Sequence, residues 1–151
     1  MTTLKSGDPA PKFAGKDQHG NLVASEDFNG VKLVLYFYPK DDTPGCTAQA
    51  CSLKDNYEML INKGYKVVGV SADTAKSHQK FIEKYQLPFP LIADTEKEII
   101  KAFGVWGSKK FMGKTYDGIH RTTFLINENG VIEEVIAKVD TKDHARQIIG
   151  S

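Results

Sequence analysis

Lys32-Leu33-Val34-Leu35-Tyr36-Phe37-Tyr38-Pro39-Lys40-Asp41-Asp42-Thr43-Pro44-Gly45-Cys46-Thr47-Ala48-Gln49-Ala50-Cys51 is the stretch on which the fold turns. Residues 32–38 form a continuous apolar and aromatic run. Such a run, with no polar alternation, predicts a central strand buried on both faces, and Pro39 ends it because it cannot donate to a ladder. Beyond the loop a helix is expected from about Thr43 to Lys63, with Gly64 as its stop. Thr43 is a good N-cap residue, and Pro44 falls on the first helical position, where a missing N–H is harmless. Gly45 and Cys46 then occupy the second and third positions, which puts a cysteine in the first turn.

Reading outward from this strand and helix, Pro9 and Pro11 mark an extended lead-in. Residues 13–23 predict a hairpin turning at His19-Gly20-Asn21. Downstream, residues 66–71 read as a strand and 75–85 as a helix with Phe81, Ile82 and Tyr85 at helical spacing. Pro88 and Pro90 follow, then a short strand at 91–93 and a short helix at 97–103. Residues 122–126 and 131–139 predict a closing hairpin around the turn Asn127-Glu128-Asn129-Gly130, and a last helix follows Thr141 and stops at Gly150. Strands alternating with helices imply an α/β chain with helices on both faces of the sheet. This order resembles a thioredoxin-like fold: a central mixed β-sheet flanked by helices, with an N-terminal β-hairpin. The expected organisation is a single domain over residues 1–151, with no repeat or linker.

The 20 Lys+Arg balance 19 Asp+Glu, and no basic run exceeds the pair Lys109-Lys110, so no nucleic-acid partner is expected. The longest apolar run is too short to span a bilayer, and the N-terminus lacks the apolar stretch of a signal peptide, so no membrane partner and a cytoplasmic location are expected. In a reducing compartment two cysteines are seldom a staple; they are more often catalytic, redox-sensing or simply buried.

The first helical turn exposes unpaired N–H groups at the positive end of the helix dipole, an environment that favours thiolate, the nucleophilic form. The bland reading of Cys46 is a small buried apolar residue. Cys51 sharpens the choice. Five residues of unbroken α-helix separate two Cα atoms by about 8.6 Å, beyond the roughly 7 Å that a disulfide spans. The pair is therefore either two unrelated buried thiols or a redox switch that unwinds the helix locally.

At this point the residues resemble a known family. Pro39-x-x-x-Thr43-x-x-Cys46 is similar to the peroxiredoxin signature. Residues 37–47 closely resemble the bacterioferritin-comigratory, or peroxiredoxin Q, subfamily. Gly118-Ile119-His120-Arg121-Thr122-Thr123-Phe124-Leu125-Ile126 looks like the family's arginine-bearing strand, and the likeness runs through essentially the whole chain. The resemblance implies a thiol peroxidase that reduces hydrogen peroxide and organic hydroperoxides. It implies Cys46 as the peroxidatic cysteine and Cys51 as the resolving cysteine of an intramolecular disulfide. Thr43 would hydrogen-bond the thiolate and the peroxide, Arg121 would lie beside the sulfur, and Pro39 would shield the pocket. Thioredoxin or a similar dithiol would be the reductant, and the protein a monomer or weak dimer. Gln49 departs from the usual Glu of the subfamily, and Lys54 from its frequent Arg.

The remaining candidates carry less. His19, His78, His120 and His144 are scattered, and two cysteines with four residues between them are no zinc pattern, so neither metal nor cofactor is expected. Asp41 and Asp42 read as solvated loop charges near the helix N-terminus. Trp106, Phe111 and Tyr116 read as a Gly-interrupted loop packed over the core. Arg121, apart from its motif, reads as a strand-edge ion pair. The competing function on this scaffold is a redox-sensing or chaperone-like binding protein that uses the Cys46–Cys51 switch. A thioredoxin-type exchanger is disfavoured, because that chemistry uses Cys-x-x-Cys.

Overall fold

The apolar run read as a central strand is the middle strand of a computed structural model that describes residues 2–150. In chain order the first half holds β1 (Ala14–Lys16), β2 (Leu22–Ala24), β3 (Lys32–Phe37), α1 (Pro44–Asp55), α2 (Tyr57–Asn62), β4 (Tyr65–Ser71) and α3 (Ala75–Tyr85). The second holds β5 (Leu91–Ala93), α4 (Glu98–Ala102), β6 (Trp106–Phe111), β7 (Lys114–Ile119), β8 (Thr122–Ile126), β9 (Ile132–Ile136) and α5 (His144–Ile149). β3 pairs in parallel with β4 and antiparallel with β8, in a five-stranded mixed sheet ordered β5-β4-β3-β8-β9.

Period-2 alternation along β3 then builds two layers. Val34, Tyr36 and Tyr38 face Ala50 and Leu53 of α1, Leu60 of α2, Phe81 of α3, and Ala145 and Ile148 of α5. Leu33, Leu35 and Phe37 face Phe13, the α4 residues Ile99 and Ile100, Phe103 and Phe124. Each fully buried Leu or Phe of this set stabilises by about 1.5–3 kcal/mol before entropy is counted. Gly69 of β4 is required by the first layer: a Cβ there would lie 2.8 Å from the Tyr36 ring and 2.6 Å from Leu91.

The N-terminal hairpin forms as expected. Asp17 Oδ1 accepts from the N–H groups of His19 (2.9 Å) and Asn21 (3.0 Å), and Gly20 takes the positive φ of 79°. The closing hairpin uses the same device: Asn127 Oδ1 accepts from the N–H groups of Asn129 and Val131.

Two elements differ from expectation. The helix from Thr43 to Lys63 is broken at Asn56, whose φ,ψ of −113°, 17° ends α1 before α2 begins. The Asn56 side-chain amide donates to the Ser52 carbonyl at 2.9 Å, taking the acceptor that the Asn56 N–H would use in a continuous helix. The aromatic segment read as a loop is a β-hairpin, β6 paired antiparallel with β7, turning on Met112 and Gly113 at positive φ. Trp106 packs against the second layer, while Phe111 is 65% exposed and Tyr116 is also exposed, so only the first of the three covers the core.

α5 docks onto α1 through the Ala145 N–H, which donates to Ser52 Oγ at 3.1 Å. Next to it His144 is fully buried, with Nε2 2.8 Å from Thr123 Oγ1 and Nδ1 2.7 Å from Gln147 Oε1. An amide oxygen only accepts, so Nδ1 carries the proton and Nε2 accepts from the threonine hydroxyl. Burial, with a contribution from the Arg121 charge, depresses the His144 pKa below 6.5. The unfolded chain therefore binds the proton first. The His144 contribution to stability is complete above about pH 6.5 and is lost as pH falls toward the folded-state value. Denaturant melts at pH 7.5 and 5.5 should show a stability loss that shrinks in His144→Gln; an equal loss in both proteins would exclude His144 as its source.

Candidate active site

α1 begins at Pro44, so Cys46 sits in its first turn, 2% exposed, as the sequence pattern requires. Among the described residues no side chain caps this helix. The Thr43 hydroxyl turns away from the expected capping bond and donates to the Lys40 carbonyl at 2.8 Å, while the Thr43 carbonyl accepts from Thr47 N–H at 2.8 Å. The first-turn N–H groups are thus left uncapped beside the sulfur. With its proton committed, the Thr43 oxygen keeps its lone pairs for a donor arriving from outside.

Arg121 lies in the short connection from β7 to β8. Its guanidinium crosses the first turn of α1 where Gly45 leaves room: a Cβ on Gly45 would lie 3.1 Å from Nη2. Nη1 donates to Gln49 Oε1 at 2.8 Å. Gln49 is completely buried, and its Nε2 finds no hydrogen-bond partner among the described residues. The strand-edge ion pair entertained for Arg121 is therefore replaced by a bond to a neutral amide on the cysteine helix.

Below the site Tyr36 and Tyr38 stack at 5.4 Å between centroids. Burial, then the charges of Cys46 and Asp41, hold the Tyr36 hydroxyl well above its ordinary pKa, so it is a neutral floor to the site. Pro39 is half-buried immediately after this floor.

Cys51 shares α1 with Cys46, and both are free thiols. Partial burial and the neighbouring Asp55 push the Cys51 thiol up from 9.0, Lys54 offsetting a little, which favours the protonated thiol over the nucleophilic thiolate there.

Asp41 is not a solvated charge. It is 7% exposed and accepts from Tyr38 Oη (2.6 Å) and Ser77 Oγ (2.8 Å), with His78 Nδ1 at 2.7 Å. Its N–H donates to Asp73 at 2.8 Å, and the His78 Nε2–H reaches the Ile92 carbonyl at 3.0 Å. Asp41, Asp73 and His78 stand close enough together to hold a cation. Their polar atoms are instead spent on each other and on Tyr38, Ser71 and Ser77, in a knot that fastens the loop before α1 to α3. Asp42 does face solvent, paired with Lys84 at 2.9 Å and Tyr85 Oη at 2.7 Å.

The AhpC/TSA family model matches residues 6–135. The chain belongs to the AhpC/TSA family. It is 49% identical over 149 residues to a putative peroxiredoxin bcp of Haemophilus influenzae, covering 99% of this chain and 96% of that one. It is 49% identical to the peroxiredoxin Bcp of Escherichia coli, covering 95% of this chain and 92% of the relative. Among solved structures, PrxQ of Xylella fastidiosa, a cysteine-to-serine mutant, superposes with a TM-score of 0.92 at 30% identity over 99% of this chain and 96% of that one. This AhpC/TSA member is thus a peroxiredoxin of the Bcp/PrxQ type on a thioredoxin-like fold, and its chemistry is thiol-dependent peroxide reduction.

Proposed function

We propose that Cys46 is the peroxidatic nucleophile, Cys51 the resolving thiol, and Thr43, Arg121 and Pro39 the residues that serve the first step. The supporting observation is the first turn of α1: a buried cysteine, uncapped N–H groups, and a guanidinium laid over Gly45. The Cys46 thiolate attacks one oxygen of the hydroperoxide, and the O–O bond breaks. The sulfur, oxidised by two electrons, leaves as sulfenic acid, and the departing alkoxide or hydroxide takes up a proton as alcohol or water. Thr43 accepts a hydrogen bond from the bound peroxide O–H, which orients it for in-line attack. Arg121 donates to the departing oxygen, where negative charge develops. Pro39 keeps bulk water from the sulfur.

In the second step the Cys51 sulfur displaces hydroxide from the sulfenic acid, which leaves with the thiol proton as water. Thioredoxin or a similar dithiol then reduces the Cys46–Cys51 bond and is itself oxidised. The enzyme works as a monomer or weak dimer in a reducing cytosol, and its single domain carries every reacting group. A coupled assay tests this: hydrogen peroxide consumption with thioredoxin, its reductase and reduced nicotinamide should proceed through many turnovers. A single equivalent consumed per chain would mean a one-shot sensor instead.

Arg121→Ala should slow the bimolecular reaction with peroxide by about 10²-fold, the scale of losing one oxyanion donor. It should leave the reduction of the preformed disulfide unchanged. Equal slowing of both steps, followed by stopped-flow mixing, would make Arg121 a structural residue only.

A further inference from the structure

The hairpin β6/β7 brings a second cation to the site. Its other lysines, Lys110 and Lys114, are exposed; Lys109 is half-buried. The Lys109 stem lies along Gly118, where a Cβ would come within 3.0 Å of its Cδ, so the strand opposite is cut back to admit it. Its ammonium donates to the Ile119 carbonyl at 2.8 Å. The next residue is tied to the same side twice: His120 N–H donates to the Val105 carbonyl at 2.7 Å, and His120 Nε2 lies 3.0 Å from the Ser108 carbonyl. These three bonds hold residues 119–120, the segment that delivers Arg121 to Gly45 and Gln49.

Electrostatics point the same way. Burial lowers the Lys109 pKa, the like charge of Arg121 lowers it further, and Cys46 opposes them. Two half-buried cations close together are mutually destabilising unless an anion lies near both, and the proposed Cys46 nucleophile is the group that opposes them here.

We propose that Lys109 is a positioning residue of the peroxidatic site: it fixes the Ile119 carbonyl, and with it the path of Arg121, and it adds a second positive charge beside the Cys46 sulfur. This rests on the reading of Cys46 as the nucleophile, but its test does not need turnover. In a Cys51→Ser background, reduced protein is alkylated with iodoacetamide, which is neutral, and with iodoacetate, which is anionic. The ratio of the iodoacetate to the iodoacetamide rate reports the local positive potential, which reaches the sulfur within a Debye length.

Lys109→Met should lower this ratio several-fold and slow the peroxide reaction, and Lys109→Arg should restore both. Lys109→Gln keeps a donor for the Ile119 carbonyl but no charge, so it should lower the ratio while losing less of the peroxide rate than Lys109→Met. It also stands in if Lys109→Met does not fold. An unchanged ratio in folded Lys109→Gln would overturn the proposal, even if peroxidase activity and the role of Cys46 were intact.

Discussion

Cys46→Ser should lose peroxidase turnover by roughly 10³-fold or more, the scale on which removal of a nucleophile is felt. The substitution exchanges one atom at a site that is 2% exposed, so the void it leaves is small. The serine hydroxyl is a weak nucleophile that does not ionise near neutral pH, and it has no accessible sulfenic state. The fold gives it partners, because the first-turn N–H groups of α1 are uncapped and a hydroxyl oxygen accepts from them. Stability should therefore change by no more than about 1 kcal/mol, the net worth of a typical hydrogen bond. Loss of turnover with an unshifted melting curve is then a chemical result. Turnover within tenfold of wild type in the coupled assay would move the nucleophile elsewhere, and Cys51 is the one other thiol in the chain.

What the sequence discloses is local, and what it hides is long-range or disguised. β3 is legible because six consecutive apolar or aromatic residues, Leu33 to Tyr38, leave no face for solvent, and α3 and β5 fall on the expected residues because Thr74, Pro88 and Pro90 punctuate them. Thr74 Oγ1 accepts from Ser77 N–H at 3.2 Å, a side-chain cap that the Thr43 position lacks. The break at Asn56 is invisible to periodicity, since Leu53, Tyr57 and Leu60 keep helical spacing across it, and only the competing bond to the Ser52 carbonyl ends α1. β6 and β7 hide because their exposed residues do not alternate in polarity and Met112 occupies a turn position usually marked by Asn or Asp.

The site is divided in the same way. Cys46, Thr43 and Pro39 lie in one motif, and Arg121 is found by its own short block. Gln49 stands 72 residues from Arg121, its partner, and His78 stands 37 from Asp41, so neither contact has a sequence signal. Lys109 had none either, because a lysine in a lysine-rich hairpin reads as a solvated face until the room left by Gly118 is seen.

One equivalent of peroxide added to reduced protein should yield an intramolecular Cys46–Cys51 disulfide, and α1 should unwind to allow it. Both cysteines lie within Pro44–Asp55, and five residues of intact helix keep their Cα atoms about 8.6 Å apart, farther than the roughly 7 Å that a disulfide bridges. The helix is built to yield. Leu53 is its one large apolar side chain in the core, so unwinding forfeits only about 1.5–3 kcal/mol of burial there. Releasing Gln49 returns its unpartnered amide to water and recovers about 1–3 kcal/mol. The break at Asn56 separates the unwinding segment from α2, which Leu60 anchors in the first layer. On the N-terminal side the Asp41–His78 knot holds the loop to α3. Amide exchange should accordingly rise from about Thr43 to Leu53 on oxidation, and in Ala145, whose N–H loses Ser52 Oγ, while β3 stays protected. Cys51→Ser should keep the first oxidation step, fail to recycle efficiently through thioredoxin, and over-oxidise at Cys46, because its sulfenic acid waits without a partner. Peptide mass mapping decides between outcomes: a bond joining two chains, or no Cys46–Cys51 link at all, would refute the intramolecular route and leave Cys46 as the nucleophile of a differently resolved enzyme.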